Sequence, residues 1–206
     1  MAISFPVSIQ TKKIEDGPDK IVYYPVVYHL QNQQAEHSMN SAIVHETQQL
    51  INIQFRNMPG TLVSMLGFYE IKNNQRDVLS LNLSNYAYFE HAAHGMTYIK
   101  SLTFDSKTGK RYNLEELFKP DSHYVETLSQ IIKKQINKRK IPLLEDFKQI
   151  QPNQDFYIAD KTLVIYFQLY EITPYAFGFP MFPISVFAIQ DMINEDGPLG
   201  KMAVNN

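Results

Sequence analysis

Glu90, His91 and His94 lie within five residues of one another, in the run Phe89-Glu90-His91-Ala92-Ala93-His94-Gly95, and carry side chains that metal and proton chemistry use. Two imidazoles and a carboxylate can hold zinc with an open coordination position, which is what a metal-dependent hydrolase centred on His91 and His94 would need. The spacing argues against that reading. A zinc-binding His-Glu-x-x-His helix puts both rings on one face, whereas neighbouring residues of a hairpin point to different faces. His94 is expected instead to bond backbone groups that the turn leaves unpaired. Nucleophilic catalysis has no better support, because Gly-x-Ser-x-Gly is absent and Ser64, Ser80, Ser84 and Ser101 fall in strand-like runs without a neighbouring base. The carboxylate pairs Glu115-Glu116 and Glu145-Asp146 fall at predicted helix starts, where negative charge complements the macrodipole. The chain is thus expected not to be an enzyme, with no catalytic residue, no metal and no cofactor.

A second group of residues suits contact rather than catalysis. From Tyr170 to Pro183 the aromatics Tyr170, Tyr175, Phe177, Phe179 and Phe182 stand among Pro174, Pro180 and Pro183. Prolines pre-stiffen an extended loop, and rigid aromatic rings dominate binding surfaces. The candidate ligand-binding residues are His94, Tyr170, Glu171, Pro174, Tyr175, Phe177 and Phe179. Phe177 and Phe179 are expected to be buried, with Tyr170 and Tyr175 part-exposed around Glu171. The alternative is that these rings roof the core.

The composition bounds what the partner is. The 206 residues are 44% hydrophobic and 19% charged, ordinary for a folded globular chain, and the formal charge is -2. No global field gathers nucleic acid or anionic lipid. One basic cluster, Lys133, Lys134, Lys138, Arg139 and Lys140, falls at the end of a predicted helix, where cations complement the macrodipole; the competing reading is a phosphate-binding patch. Cysteine is absent, so disulfides and thiol chemistry are excluded. No stretch approaches the roughly 20 apolar residues that span a bilayer, and the first residues lack a basic region ahead of an apolar core. Taken literally the chain is cytoplasmic; one trimmed of a leader would be extracytoplasmic and look the same.

The elements that must position these residues can be read from periodicity. Val78 to Phe89 and Met96 to Phe104 alternate with a period near two, and the short connection ending in Gly95 joins them as an antiparallel hairpin at the centre of a sheet, with Gly95 supplying a positive φ. Ser80, Asn82, Ser84 and Asn85 would line a wet or polar-covered face. Phe5 to Ile14, Ile21 to Leu30 and Leu62 to Ile71 read as further strands, with Pro25 marking an edge or bulge. Between them Met39, Ala42, Ile43, Leu50 and Ile53 trace one side of a helix over residues 35–56, stopped by Met58-Pro59-Gly60. A second amphipathic helix over 122–138 carries Leu128, Ile132 and Ile136, capped by Asp121 or Ser122. A short helix is predicted over 142–149, a hairpin over 156–170, and a last short helix over 186–193. The fold class is α+β, antiparallel sheets on two main helices, in two intimately associated subdomains of residues 1–100 and 101–206.

Several of these stretches resemble a known family. Asn85-Tyr86-Ala87-Tyr88, His91-Ala92-Ala93-His94-Gly95 and Ser101-Leu102-Thr103-Phe104-Asp105 carry the likeness in the first half. Tyr157-Ile158-Ala159-Asp160-Lys161 and Tyr170-Glu171-Ile172-Thr173-Pro174-Tyr175-Ala176 carry it in the second. They are similar to a bacterial two-part domain family of unknown function, found in the lysozyme-binding extracytoplasmic region of the anti-sigma-V factor and in the non-catalytic region of a peptidoglycan deacetylase. The resemblance implies a non-enzymatic binding module whose partner is a lysozyme-like protein or a cell-envelope glycan such as a peptidoglycan fragment. The family's Gly-Gly-Ala-His-Gly stands here as His91-Ala92-Ala93-His94-Gly95. A cytoplasmic structural or stress protein is the remaining alternative, and the oligomeric state is left open.

Overall fold

The structure is a computed structural model that describes residues 6–58 and 60–204. Phe5 and Pro59, expected in the first strand and in the stop after the long helix, lie outside the described residues. The chain divides into two compact units, Met1–Arg111 and Tyr112–Asn206. With mostly antiparallel sheets of five and three strands beside helices, the fold is α+β as the periodicity predicts.

The first unit holds β1 (Ser8–Glu15), β2 (Lys20–Tyr28), α1 (Gln33–Asn57), β3 (Leu62–Gln75), β4 (Val78–Phe89) and β5 (Met96–Asp105). The strands form one sheet in chain order. All neighbours pair antiparallel except β2 and β3, which run parallel over Lys20–Val22 and Met65–Gly67. That exception follows from α1, since a helix between two strands returns the chain in the same direction. Pro25 stands opposite Thr11 and beyond Val22, the last residue paired with β3, so on one side the strand has no ladder to lose there. The hairpin of β4 and β5 is antiparallel as predicted, but β5 is an edge strand, so the hairpin sits at the end of the sheet rather than its centre.

Helix α1 begins because the Asn32 side chain accepts hydrogen bonds from the Gln34 and Ala35 amides. Its buried face is Ala35, Met39, Ile43, Thr47, Leu50, Ile51 and Gln54. Ile51, not Ile53, is the buried residue of the last turns. Met39, Ile43 and Leu50 pack on Leu79, Leu81, Leu83, Leu102 and Phe104, and each such side chain contributes about 1.5–3 kcal/mol when buried.

Ser80, Asn82 and Asn85 are buried rather than wet. Ser80 and Thr103 hydroxyls pair at 2.9 Å, Ser101 donates to Asn82 Oδ1, and Gln54 Nε2 donates to the carbonyls of Asn85 and Met96, tying α1 across the base of the hairpin. The positive φ of the turn is also displaced. It belongs to His91, at 63°, while Gly95 is required by space: a Cβ there would lie 2.2 Å from the ring of Tyr86.

The second unit holds α2 (Tyr124–Arg139), β6 (Phe156–Ala159), β7 (Thr162–Tyr166), β8 (Met181–Ser185) and α3 (Pro198–Ala203), with 3-10 turns at Leu114–Leu117, Tyr175–Phe177 and Val186–Ile189. Neither Asp121 nor Ser122 caps α2. The N-cap is His123, with no side-chain bond, because Asp121 and His123 both take left-handed backbone. Leu128, Ile132 and Ile136 are buried beneath α2, and Gln135 and Arg139 donate to the carbonyls of Pro183 and Met181 on β8. Phe167 sits edge-on between Phe147 and Phe182, with centroids 5.9 and 5.8 Å away.

Further expectations change in this unit, among them the helix over 186–193, which is only the 3-10 turn Val186–Ile189. Residues 142–149 form no helix: Leu144 N donates to Ile172 O, and the Ile150 amide donates to Ser129 Oγ, so the segment's backbone is bonded outward instead of to itself. The hairpin strand stops at Tyr166, and Phe167 N turns to the carbonyl of Pro180. Beyond Gly178 the chain pairs as β8, with Pro183 opposite Val164 on the edge of the order β6-β7-β8, where a proline is tolerated.

Candidate functional site

Six of the seven expected contact residues occupy one loop between β7 and β8. Its first turn is held from below. The Gln168 amide donates to Glu171 Oε2 at 2.7 Å, and Glu171 N returns a bond to Gln168 O. Buried Gln154 donates through Nε2 to Glu171 Oε1 at 3.0 Å and to the Tyr166 carbonyl, and Gln168 Nε2 donates to Asp155 Oδ2 at 2.8 Å. These bonds close on Tyr170, whose φ is 65° and whose surface is 48% exposed. Gln154, Asp155 and Gln168 were not singled out from the sequence. Nothing in their local spacing marks them, because the bonds cross 13 to 17 residues.

Pro174, with φ -58° and ψ 150°, leads into the 3-10 turn Tyr175–Phe177, where Phe177 N donates to Pro174 O and Gly178 N to Tyr175 O. The turn brings Tyr175 against Tyr170 with ring centroids 5.5 Å apart and planes at 33°. Thr173 is buried and anchors the loop between them. Phe177 is exposed at 37%, which corrects the expectation that it is buried, and Phe179 is half-buried. Three-residue turns cannot hide a side chain whose neighbours, Pro174 and Ala176, are themselves exposed.

Beside the loop lies a cleft of about 410 Å³, lined by residues 144–149 and by Tyr170, Glu171 and Ile172. Leu144, half exposed, stands on its wall. Carboxylates at Glu145, Asp146 and Glu171 face one ammonium at Lys148, so the cleft is acidic with an aromatic rim. Its lining offers three carboxylates, one ammonium and the Tyr170 phenol to whatever enters.

His94 belongs to the first unit. Its ring is exposed, with Nδ1 donating to Gly95 O at 2.9 Å, and the turn around it is closed by Ala92 N to Phe89 O. His91 is also exposed. Among the described residues no three His, Cys, Asp or Glu side chains are grouped to hold a metal ion.

The family described as "Protein of unknown function (DUF3298)" matches residues 115–186, a span that contains the whole aromatic loop and leaves out His94. Over 208 aligned residues the chain is 32% identical to the anti-sigma-V factor RsiV of Bacillus subtilis (strain 168), covering 93% of this chain and 70% of that protein. The chain belongs to the RsiV-like DUF3298 family. Two solved DUF3298 structures share its fold. One, from Bacteroides fragilis NCTC 9343, matches with a TM-score of 0.66 and 16% identity over 98% of both chains. The other, from Pseudomonas aeruginosa PAO1, matches with a TM-score of 0.67 and 13% identity over 92% of this chain and 95% of that one. In this DUF3298 chain no helix of the described residues is long and apolar enough to cross a membrane.

Proposed function

We propose that the chain is a non-enzymatic binding module that engages a lysozyme-like protein through the loop Tyr170–Phe179. The observation that carries this reading is Tyr170, a bulky residue in left-handed backbone with nearly half its surface in solvent. Such a conformation costs on the order of 1–3 kcal/mol and persists only where the surroundings hold it. Here the holders are Gln154, Asp155, Gln168 and Glu171, which bond the turn and leave the ring outside. Burial of Tyr170 does not explain the strain; presentation beside Tyr175 does. A stiff aromatic pair has little freedom left to lose on binding, which is why Tyr is favoured in contact surfaces.

The 32% identity to an anti-sigma factor supports a role in binding, and the family likeness supplies lysozyme as the partner to test. A cell-envelope glycan is the other ligand that an aromatic rim accepts. Either is met outside the cytoplasm, so the reading places the working chain there. His94, in the first unit, is proposed as a contact of its own.

The test is retention on immobilised C-type lysozyme and on peptidoglycan fragments, for the wild type and for the pair Tyr175→Ala, Phe177→Ala. Lysozyme is expected to hold the wild type and to bind the double variant at least tenfold more weakly, since contact aromatics typically cost more than about 1 kcal/mol each on truncation. Equal retention of the two proteins overturns the loop's role. Retention on glycan alone moves the partner to the glycan.

A further inference from the structure

We infer that the exposed side of α2 is a second binding surface, one that takes a linear phosphate polymer. Residues 133–140 carry five cations in a chain whose formal charge is -2. Arg139 is accounted for, since it donates to the Met181 carbonyl and lies 5.4 Å from the centroid of the Phe182 ring. Lys133, Lys134, Lys138 and Lys140 are exposed, and among the described residues none of them makes an ion pair.

The helix also withholds the partners it could have supplied. Residues three and four apart share a helix face, and an acid there would neutralise each lysine. Around Lys133, Lys134 and Lys138 those positions hold Ser129, Gln130, Ile131, Gln135, Ile136, Asn137, Ile141 and Pro142, with no carboxylate, and Lys134 and Lys138 face each other as like charges. Complementing the macrodipole accounts for the cations of the last turn only, because that effect fades within one turn. Lys133 and Lys134 lie further in, so neither the macrodipole nor a neighbouring acid on the helix compensates them, and a bound polyanion offsets their charge.

The shape of the patch selects the occupant. Lys134 and Lys138 are about 6 Å apart along the axis at 1.5 Å per residue, too far for one phosphate to neutralise both but within reach of a flexible chain of closely spaced phosphates. Lys134 and Lys138 share one face with Lys133 about 100° round the helix, and none of the exposed large apolar side chains lies on α2 to enter a bilayer. No exposed aromatic lies there either, so bases have nothing to stack upon and a nucleic acid gains nothing over a plain phosphate polymer. The surface shares no residue with the Tyr170 loop.

The experiment titrates the full chain with linear inorganic polyphosphate, with oligo-dT of matched phosphate number, and with phosphatidylserine vesicles. Polyphosphate is expected to bind, with affinity falling about fiftyfold between about 50 and about 200 mM salt, the dependence for four neutralised phosphates on a single strand. The triple variant Lys133→Gln, Lys134→Gln, Lys138→Gln keeps good helix formers and should lose at least tenfold at low salt. The matching Arg triple should retain binding, and Lys12→Gln, Lys13→Gln, Lys20→Gln in the first unit should leave it unchanged. The proposal is overturned by absent binding, by an unaltered Gln triple with native circular dichroism, by equal loss in the first-unit control, or by binding confined to oligo-dT or vesicles.

Discussion

Gly178→Ala isolates the backbone of the aromatic loop from its side chains. Gly178 sits at φ 81° and ψ -153°, a region that residues with a Cβ essentially do not occupy, and a Cβ built there meets nothing within 4 Å. The substitution therefore adds no clash and removes no contact; it only strains the chain, by about 1–3 kcal/mol. The loop yields before the core does, because Thr173, Pro180 and Phe182 are buried anchors while Ala176 and Phe177 between them are exposed. If relaxation gains about 2 kcal/mol, roughly one molecule in thirty keeps the presenting conformation, and the apparent Kd for lysozyme rises about thirtyfold. Calorimetric titration against C-type lysozyme measures this, with a thermal melt alongside, where a local change should move Tm by only a few degrees. Gly17→Ala is the matched control. Gly17 has φ 74°, also with nothing within 4 Å, in the turn between β1 and β2. It should cost similar stability and leave lysozyme binding alone. Wild-type affinity in Gly178→Ala would refute the link between the loop's backbone and recognition, whatever happened to Tm.

Two further outcomes test the fold itself. Gly109→Ala places a methyl 2.7 Å from the Ala35 Cα and 2.8 Å from its carbonyl oxygen, at φ 75°, so left-handed strain and overlap with the backbone of α1 should together cost about 3 kcal/mol and lower Tm by about 10 °C; an unchanged melt would contradict the close packing of this turn on the helix. Tyr124, stacked on Phe118 with centroids 4.8 Å apart and donating to Pro152 O, is raised above its ordinary value of 10.0 by burial first and by the nearby Glu115 carboxylate second. A raised folded value means stability is complete below the unfolded value and lost as pH rises through it, so unfolding should become easier above about pH 10. Denaturant titrations across that range should show a smaller loss in Tyr124→Phe than in the wild type.

The aromatic loop shows where reading residues succeeds and stops. Rings among prolines and a glycine make a poor regular element, so the irregular course of Tyr170 to Phe179 is legible, and the structure has a loop there between β7 and β8. Which of them face solvent was not nameable: Phe177 turns outward because a three-residue turn at Pro174 points it there. The partners that hold Tyr170 in place, Gln154 and Asp155, come from a loop before β6 and carry no periodic signal.

Local pattern by itself determined α1, the β4–β5 hairpin and α2, since each is long enough for its period to register and each buries its own stripe. It also determined the α+β class, while the family came from the likeness of particular stretches and from the 32% identity to RsiV. Tertiary structure alone decided the parallel contact of β2 with β3, the edge position of β5, the pairing of Met181–Ser185 despite Pro183, and the extended course of residues 142–149. The physical reason is common to all four. Each depends on which backbone donors and acceptors meet across distant parts of the chain, as Leu144 N meets Ile172 O, and such meetings leave no mark on the spacing of neighbouring side chains.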